Sequence, residues 1–279
     1  MTLSFFTGSG DDLVPADLAR SLWGENQMHG VALSGALARG LERRVAELGR
    51  DDLRPARYTV DLFRPAAMTL CHTTTRVVRE GRRLCLVDAT LEQDGQAVAR
   101  ASGLFLKVGD PAAGDVWEPT GAPEPPPHDL APPTDKLRVP LFASEGVGWE
   151  ESFAAHQNGG RKTTWQVGVP IVPEEVPSGF VVAASVADAT SMVTNWGSNG
   201  VEYINTDITL ILARLPHGRE IGLAATDRVS HDGIAVGTAT VFDRSGRIGT
   251  SVTSSIANAK RAVDFQVHDF KDDPRVSGA

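Results

Sequence analysis

The sequence predicts an α+β protein of two similar units, each a long central helix wrapped by an antiparallel sheet. Three observations predict this. The chain has 279 residues, of which 41% are hydrophobic and 22% charged, the balance of a globular protein with room for one large domain or two average ones. A proline-dense stretch, residues 109–140 with WEPTGAPEPPPHDLAPPTDKLRVP at its end, separates two portions of comparable size, 1–108 and 141–279. Each portion shows one long helical pattern followed by four strand-like runs.

The first helix is expected over about His29–Leu48. Leu33, Leu37, Leu41, Val45 and Leu48 recur at the spacing of one helical face. Gly30, Ser34, Gly35 and Ala38 form a second surface of small residues, against which a sheet or another helix can approach closely. Strand runs follow at Arg57–Arg64, Cys71–Arg79, Leu84–Gln93 and Ala97–Val108, the last three separated by turn signals at Glu80-Gly81 and Asp94-Gly95. The proline-dense stretch suits neither a central strand nor a helix interior, because proline lacks the backbone donor both require. It is expected to be a linker.

The second helix is expected over about Ser178–Trp196, as one continuous element with the stripe Val182, Val186, Ala189, Val193, Trp196 and a small flank of Ala183, Ala184 and Ala187. Runs follow at Glu202–Arg214, Glu220–Ser230, Ala235–Asp243 and Ile248–Ala257, with turns at Asp232-Gly233 and Ser245-Gly246. Two units of the same order in one chain suggest duplication.

Composition narrows the function. The net charge is −8 and no block of five basic residues occurs, so no nucleic-acid partner is expected. Residues 1–10 show no basic signal-peptide start, and no run approaches the roughly 18 apolar residues of a membrane span. A soluble cytoplasmic protein with reduced thiols is expected. Hairpin pairing sets Cys85 opposite about Val77 and leaves Cys71 several residues away, beyond disulfide reach. The histidines other than His29, at positions 72, 128, 156, 217, 231 and 268, lack metal-ligand spacing. GxSxG, P-loop and GxGxxG motifs are absent. Arg76, Arg79, Arg82 and Arg83 gather near a hairpin and are read as a solvated turn.

Several stretches, taken in order, resemble the TesB-like acyl-CoA thioesterases, whose fold is a tandem double hotdog. In the first portion they are Gln27-Met28-His29-Gly30, YTVDLFRP (58–65) and TTRVVREGRRLCLVDATLEQDGQAVARASGLFLK (74–107). In the second they are SVADATSMV (185–193), INTDITLILARLP (204–216) and VFDRSGRIG (241–249). The resemblance implies hydrolysis of a fatty acyl-CoA by a water molecule, which a helix carboxylate activates and strand side chains position. It implies no metal, no cofactor beyond the coenzyme A of the substrate, and a homodimer.

Residue by residue, the resemblance places the helix aspartate at Asp188. By angle this residue lies about 120° from the centre of the apolar stripe, on a flank where a crevice can form. The first helix carries Arg39 at the corresponding place, so the N-terminal unit is expected to hold a degenerate site and the C-terminal unit the active one. Asn205 stands where the family often has a Thr or Asn that holds the water. The family's third position is a glutamine on the last strand. This chain has none there, and Thr253 or Ser254 takes its place. His29 and Gly30, and Gly179 in the second unit, mark helix starts whose N–H groups can polarise a carbonyl. Val186, Ala189 and Met192 are the expected lining of an acyl slot between helix and sheet. The alternative is an acyl-CoA or lipid-binding protein that kept the fold and lost catalysis with the glutamine.

Overall fold

In the computed structural model, residues 3–267 are described; His268 and the outer ends of the two expected units lie outside the described residues. The first helix, α1, spans Gly30–Glu47, as its leucine stripe predicts. It buries Leu33, Leu37, Leu41 and Val45 against the sheet strands Cys71–Glu80, Leu84–Gln93 and Gln96–Lys107.

The second expected helix is not one long element. It divides into α2, Gly179–Ala187, and α3, Thr190–Asn195. The cause is a tightened turn. The N–H groups of Asp188, Ala189 and Ser191 reach back three residues, to Ser185 (3.4 Å), Val186 (2.9 Å) and Asp188 (3.2 Å), where a regular helix reaches back four. Ala189 has ψ near −4°. Apolar periodicity survives this local overwinding, so the spacing alone suggested continuity.

Strands from both portions form one 14-stranded antiparallel sheet. In the first portion the order from the edge is Phe6–Ser9, Asp12–Pro15, Cys71–Glu80, Leu84–Gln93, Gln96–Lys107, Leu53–Leu62. The last of these pairs with Asp207–Leu212 of the second portion, Thr59 opposite Thr209. Beyond it come Gly246–Ala257, Ile234–Asp243, Glu220–His231, Lys162–Val167, Leu141–Ser144 and Val147–Glu150. The expected run Glu202–Arg214 is interrupted at Thr206 into Tyr203–Asn205 and Asp207–Leu212, both paired with Gly246–Ala257. Two hairpins turn where expected, at Asp94-Gly95 (φ 50° and 71°) and Asp232-Gly233 (φ 49° and 76°). Positive φ at both central residues matches the twist of the flanking strands. Residues 109–140 form neither helix nor strand.

The two helices lie antiparallel through the small-residue face of α1. Ser34 Oγ donates to the Ala184 carbonyl (2.6 Å) and Ser185 Oγ to the Val31 carbonyl (2.8 Å). A Cβ on Gly35 would stand 2.5 Å from Ser185 Oγ, so only glycine permits this approach. Antiparallel packing brings the N-terminus of α1 beside the C-terminus of α2. Both cysteines are buried and free. Cys85 sits opposite Glu80 rather than Val77, because the chain reverses later than expected, at residues 81–83, and Cys71 lies opposite Leu13. Among the described residues, no helix is long and apolar enough to cross a membrane.

Candidate active site

Asp188 is the C-cap of α2, at the point where the helix tightens. Its half-buried side chain faces the start of α1. Asn205 Nδ2 donates to Asp188 Oδ1 (2.8 Å), and the Val31 backbone N–H donates to the same carboxylate. Gly30 makes this possible: a Cβ there would lie 2.1 Å from Oδ1 and 2.7 Å from Oδ2. A carboxylate near the free N–H groups of a helix start is electrostatically favoured. Burial nevertheless dominates. It raises the Asp188 pKa to about 6, against the opposing pull of the Asn205 and Val31 hydrogen bonds. The group is therefore ionised at neutral pH yet basic enough to accept a proton.

His29 is the N-cap of α1. Its Nδ1 accepts from the Ala32 N–H (3.1 Å) and its Nε2 faces the Leu18 carbonyl (2.9 Å). A carbonyl only accepts, so Nε2 carries the proton and the ring is neutral. Both nitrogens are engaged, and the ring acts as a wall, edge-on to Phe5 with 5.1 Å between centroids.

Asp188, Asn205, His29 and Val31 open onto one cavity of about 320 Å³. Ala189 and Met192 line it as expected, whereas Val186 is buried in the core and does not. Past Met192, the far wall includes Trp23, Phe142, Phe153 and Phe265. Phe142 and Phe153 pack at 4.3 Å between centroids, Phe153 and Phe265 at 4.8 Å. Sequence reasoning missed this wall. Its residues come from separate segments, and only tertiary folding assembles them. The cavity thus runs between α3 and the start of α1 on one side and the strands that carry Phe142, Gln166, Val167, Tyr203 and Asn205 on the other.

The remaining candidates lie elsewhere. Gly179 starts α2 and packs on Pro216, which a Cβ would meet at 3.1 Å; it does not line the cavity. Thr253 and Ser254 point to opposite faces of one strand. Thr253 is fully buried, and its Oγ1 has no hydrogen-bond partner among the described residues. Ser254 donates its backbone N–H to the Asp207 carboxylate. Neither lines the cavity.

The pseudo-equivalent place on α1 lines a second cavity, of about 330 Å³, and carries an ion pair in place of a lone carboxylate. The Arg39 guanidinium makes two bonds of 2.6 Å to Glu175 and one of 2.8 Å to the Gly10 carbonyl. It lies beside Ser178 at the start of α2. The described site therefore draws its helix start from the first portion and its carboxylate from the second.

Residues 19–106 match the model of the acyl-CoA thioesterase N-terminal domain, and residues 118–256 that of the acyl-CoA thioesterase C-terminal domain. Among solved structures, the chain is similar to a tesB protein of Mycobacterium avium subspecies paratuberculosis, at 17% identity and TM-score 0.60, over 90% of this chain and 95% of that one. It is similar to the acyl-CoA thioesterase II TesB2 of Mycobacterium marinum, at 12% identity and TM-score 0.60, over 83% and 89%. A third similar structure is a hot dog protein of Alicyclobacillus acidocaldarius, at 17% identity and TM-score 0.59, over 90% and 95%. At these identities the structural likeness establishes the shared fold. No curated protein matches the chain significantly.

Proposed function

The chain belongs to the acyl-CoA thioesterase family, whose reaction is hydrolysis of an acyl-CoA thioester, and from that premise we propose that Asp188 and Asn205 run this reaction on a hydrophobic acyl group held in the cavity. The observation that carries the reading is the Asp188 carboxylate, bonded to Asn205 and seated against the start of α1 at the cavity wall.

The ionised carboxylate takes a proton from a water. The water oxygen adds to the thioester carbonyl carbon, and the carbonyl oxygen gains the negative charge. In this reading the Gly30 N–H, which its own helix cannot use, stabilises that charge. Collapse of the intermediate breaks the C–S bond, and the proton held by Asp188 passes to the departing thiolate. The products are a free acid and the coenzyme A thiol. Asn205 orients the carboxylate through Nδ2, which leaves its Oδ1 for the water.

Met192 leads from Asp188 to the aromatic wall, which gives a fatty acyl chain its path away from the carbonyl. Coenzyme A enters as part of the substrate. Thr253 and Ser254 stand outside this reading, since neither reaches the cavity. The division into a degenerate unit at 1–108, a linker at 109–140 and an active unit at 141–279 belongs to the same proposal and is supported by the Arg39–Glu175 pair, which stands where the other helix has Asp188. So do a homodimer, for which sizing at the mass of one chain is the contrary result, and a cytoplasmic location. The test is release of free thiol from acyl-CoAs of graded length. No release, or release unaltered in Asp188→Ala, would reject the proposal.

A further inference from the structure

The four polar side chains of α3 differ in one respect. Thr190 Oγ1 donates to Ser251 (2.7 Å), Thr194 Oγ1 to the Thr190 carbonyl (2.7 Å), and Asn195 Nδ2 to Ser255 (3.3 Å). These bonds tie α3 to the strand Gly246–Ala257 or to itself. Ser191 Oγ has no hydrogen-bond partner among the described residues, and Ser191 is the member of the four that lines the cavity. Its backbone N–H bonds to the Asp188 carbonyl at 3.2 Å. That three-residue closure has a geometric consequence. In such a turn, side chains at i and i+3 lie over one another, whereas in a regular helix they are offset. The break between α2 and α3 thus turns Ser191 onto the face of Asp188.

Resting on the thioesterase reading, we propose that Ser191 is a catalytic residue, its hydroxyl holding the attacking water together with Asp188 and Asn205. It does the work expected of the missing strand glutamine. Thr253 cannot, because its hydroxyl is fully buried and does not line the cavity. The Ser191 Oγ accepts from or donates to the water, while Asp188 removes the proton that is transferred. The hydroxyl forms no covalent bond, so the products are unchanged.

The test is steady-state thiol release by the full chain carrying Ser191→Ala, Ser191→Thr or Thr194→Val. Ser191→Ala is expected to lower kcat by about 10²-fold with KM altered less than about threefold, and to leave the acid limb of the pH profile in place. Ser191→Thr, which keeps a hydroxyl, restores most of the rate. Thr194→Val, whose hydroxyl is tied to its own helix, keeps the original kcat. Melting curves check that each variant is folded. Unaltered kcat in Ser191→Ala overturns the proposal, as does a loss that Ser191→Thr does not restore. No turnover by the unaltered chain on any acyl-CoA overturns the hydrolase reading itself, and this proposal with it.

Discussion

Replacing Asp188 with asparagine is expected to make the protein slower and more stable, with a gain that depends on pH. Burial moves the carboxyl from an ordinary 3.8 to about 6, which corresponds to roughly 3 kcal/mol. The sign follows from proton binding. Between those two values the native state holds a proton that the unfolded chain has released, so stability falls as pH rises through the folded value. Well below pH 4 the group is neutral in both states and costs nothing. Well above pH 6 the native state carries the whole penalty of a buried charge. The asparagine side chain would carry no charge at any pH, although its amide must meet donors from Asn205 and Val31 that suit a carboxylate better. The gain in melting temperature is therefore expected to grow from near zero at pH 4 to an upper limit of about 5–10 °C at pH 8 in a chain of this size. Turnover should fall by about 10²–10⁴, the range for losing a general base. Melts of both proteins at half-unit pH steps, with thiol release on the same samples, measure both effects. A stability difference that is flat with pH, or a variant less stable than the unaltered chain at pH 8, would refute the buried-carboxylate account.

Other substitutions test neighbouring parts of the site. Gly30→Ala places a Cβ 2.1 Å from Asp188 Oδ1 and should displace the carboxylate, lowering kcat by about 10² while circular dichroism stays native. Asn205→Ala removes a bond that holds the Asp188 pKa down. The acid limb of kcat/KM, expected near pH 6 in the unaltered chain, should move upward in the variant, and a limb that stays or falls would count against this arrangement. Arg39→Ala removes a buried guanidinium that holds Glu175 and the Gly10 carbonyl. Denaturant titration should show a loss of about 1–3 kcal/mol, with turnover retained, because Arg39 does not line the Asp188 cavity.

Much of the fold was legible because periodicity reports which face of an element is buried. The leucine stripe located α1 to within a residue or two, and the run Leu84–Gln93 matched its strand end to end. The small residues on α1 foretold a close neighbour, and α2 lies there. The helix break at Asp188 was hidden because tightening a single turn barely shifts an apolar stripe. Asp188 and Asn205 were found as a pair by resemblance to a family, and the 2.8 Å bond brings them together. Thr253 and Ser254 lie off the cavity, because strand alternation points one into a buried layer and the other to the opposite face. Ser191 was visible only as a polar residue three positions after Asp188, a spacing that gains meaning once the local hydrogen bonds are known.

By itself the sequence determined what short-range physics can encode: which segments are helix or strand, where glycine-bearing turns reverse the chain, and which residue types could move a proton. Only the tertiary structure decided the site, because its members are far apart along the chain. The start of α1 meets Asp188 across 158 residues, and that encounter sets both the acidity of the carboxyl and the space beside it. Burial and proximity of this kind are properties of the packed whole, and no local stretch of residues contains them.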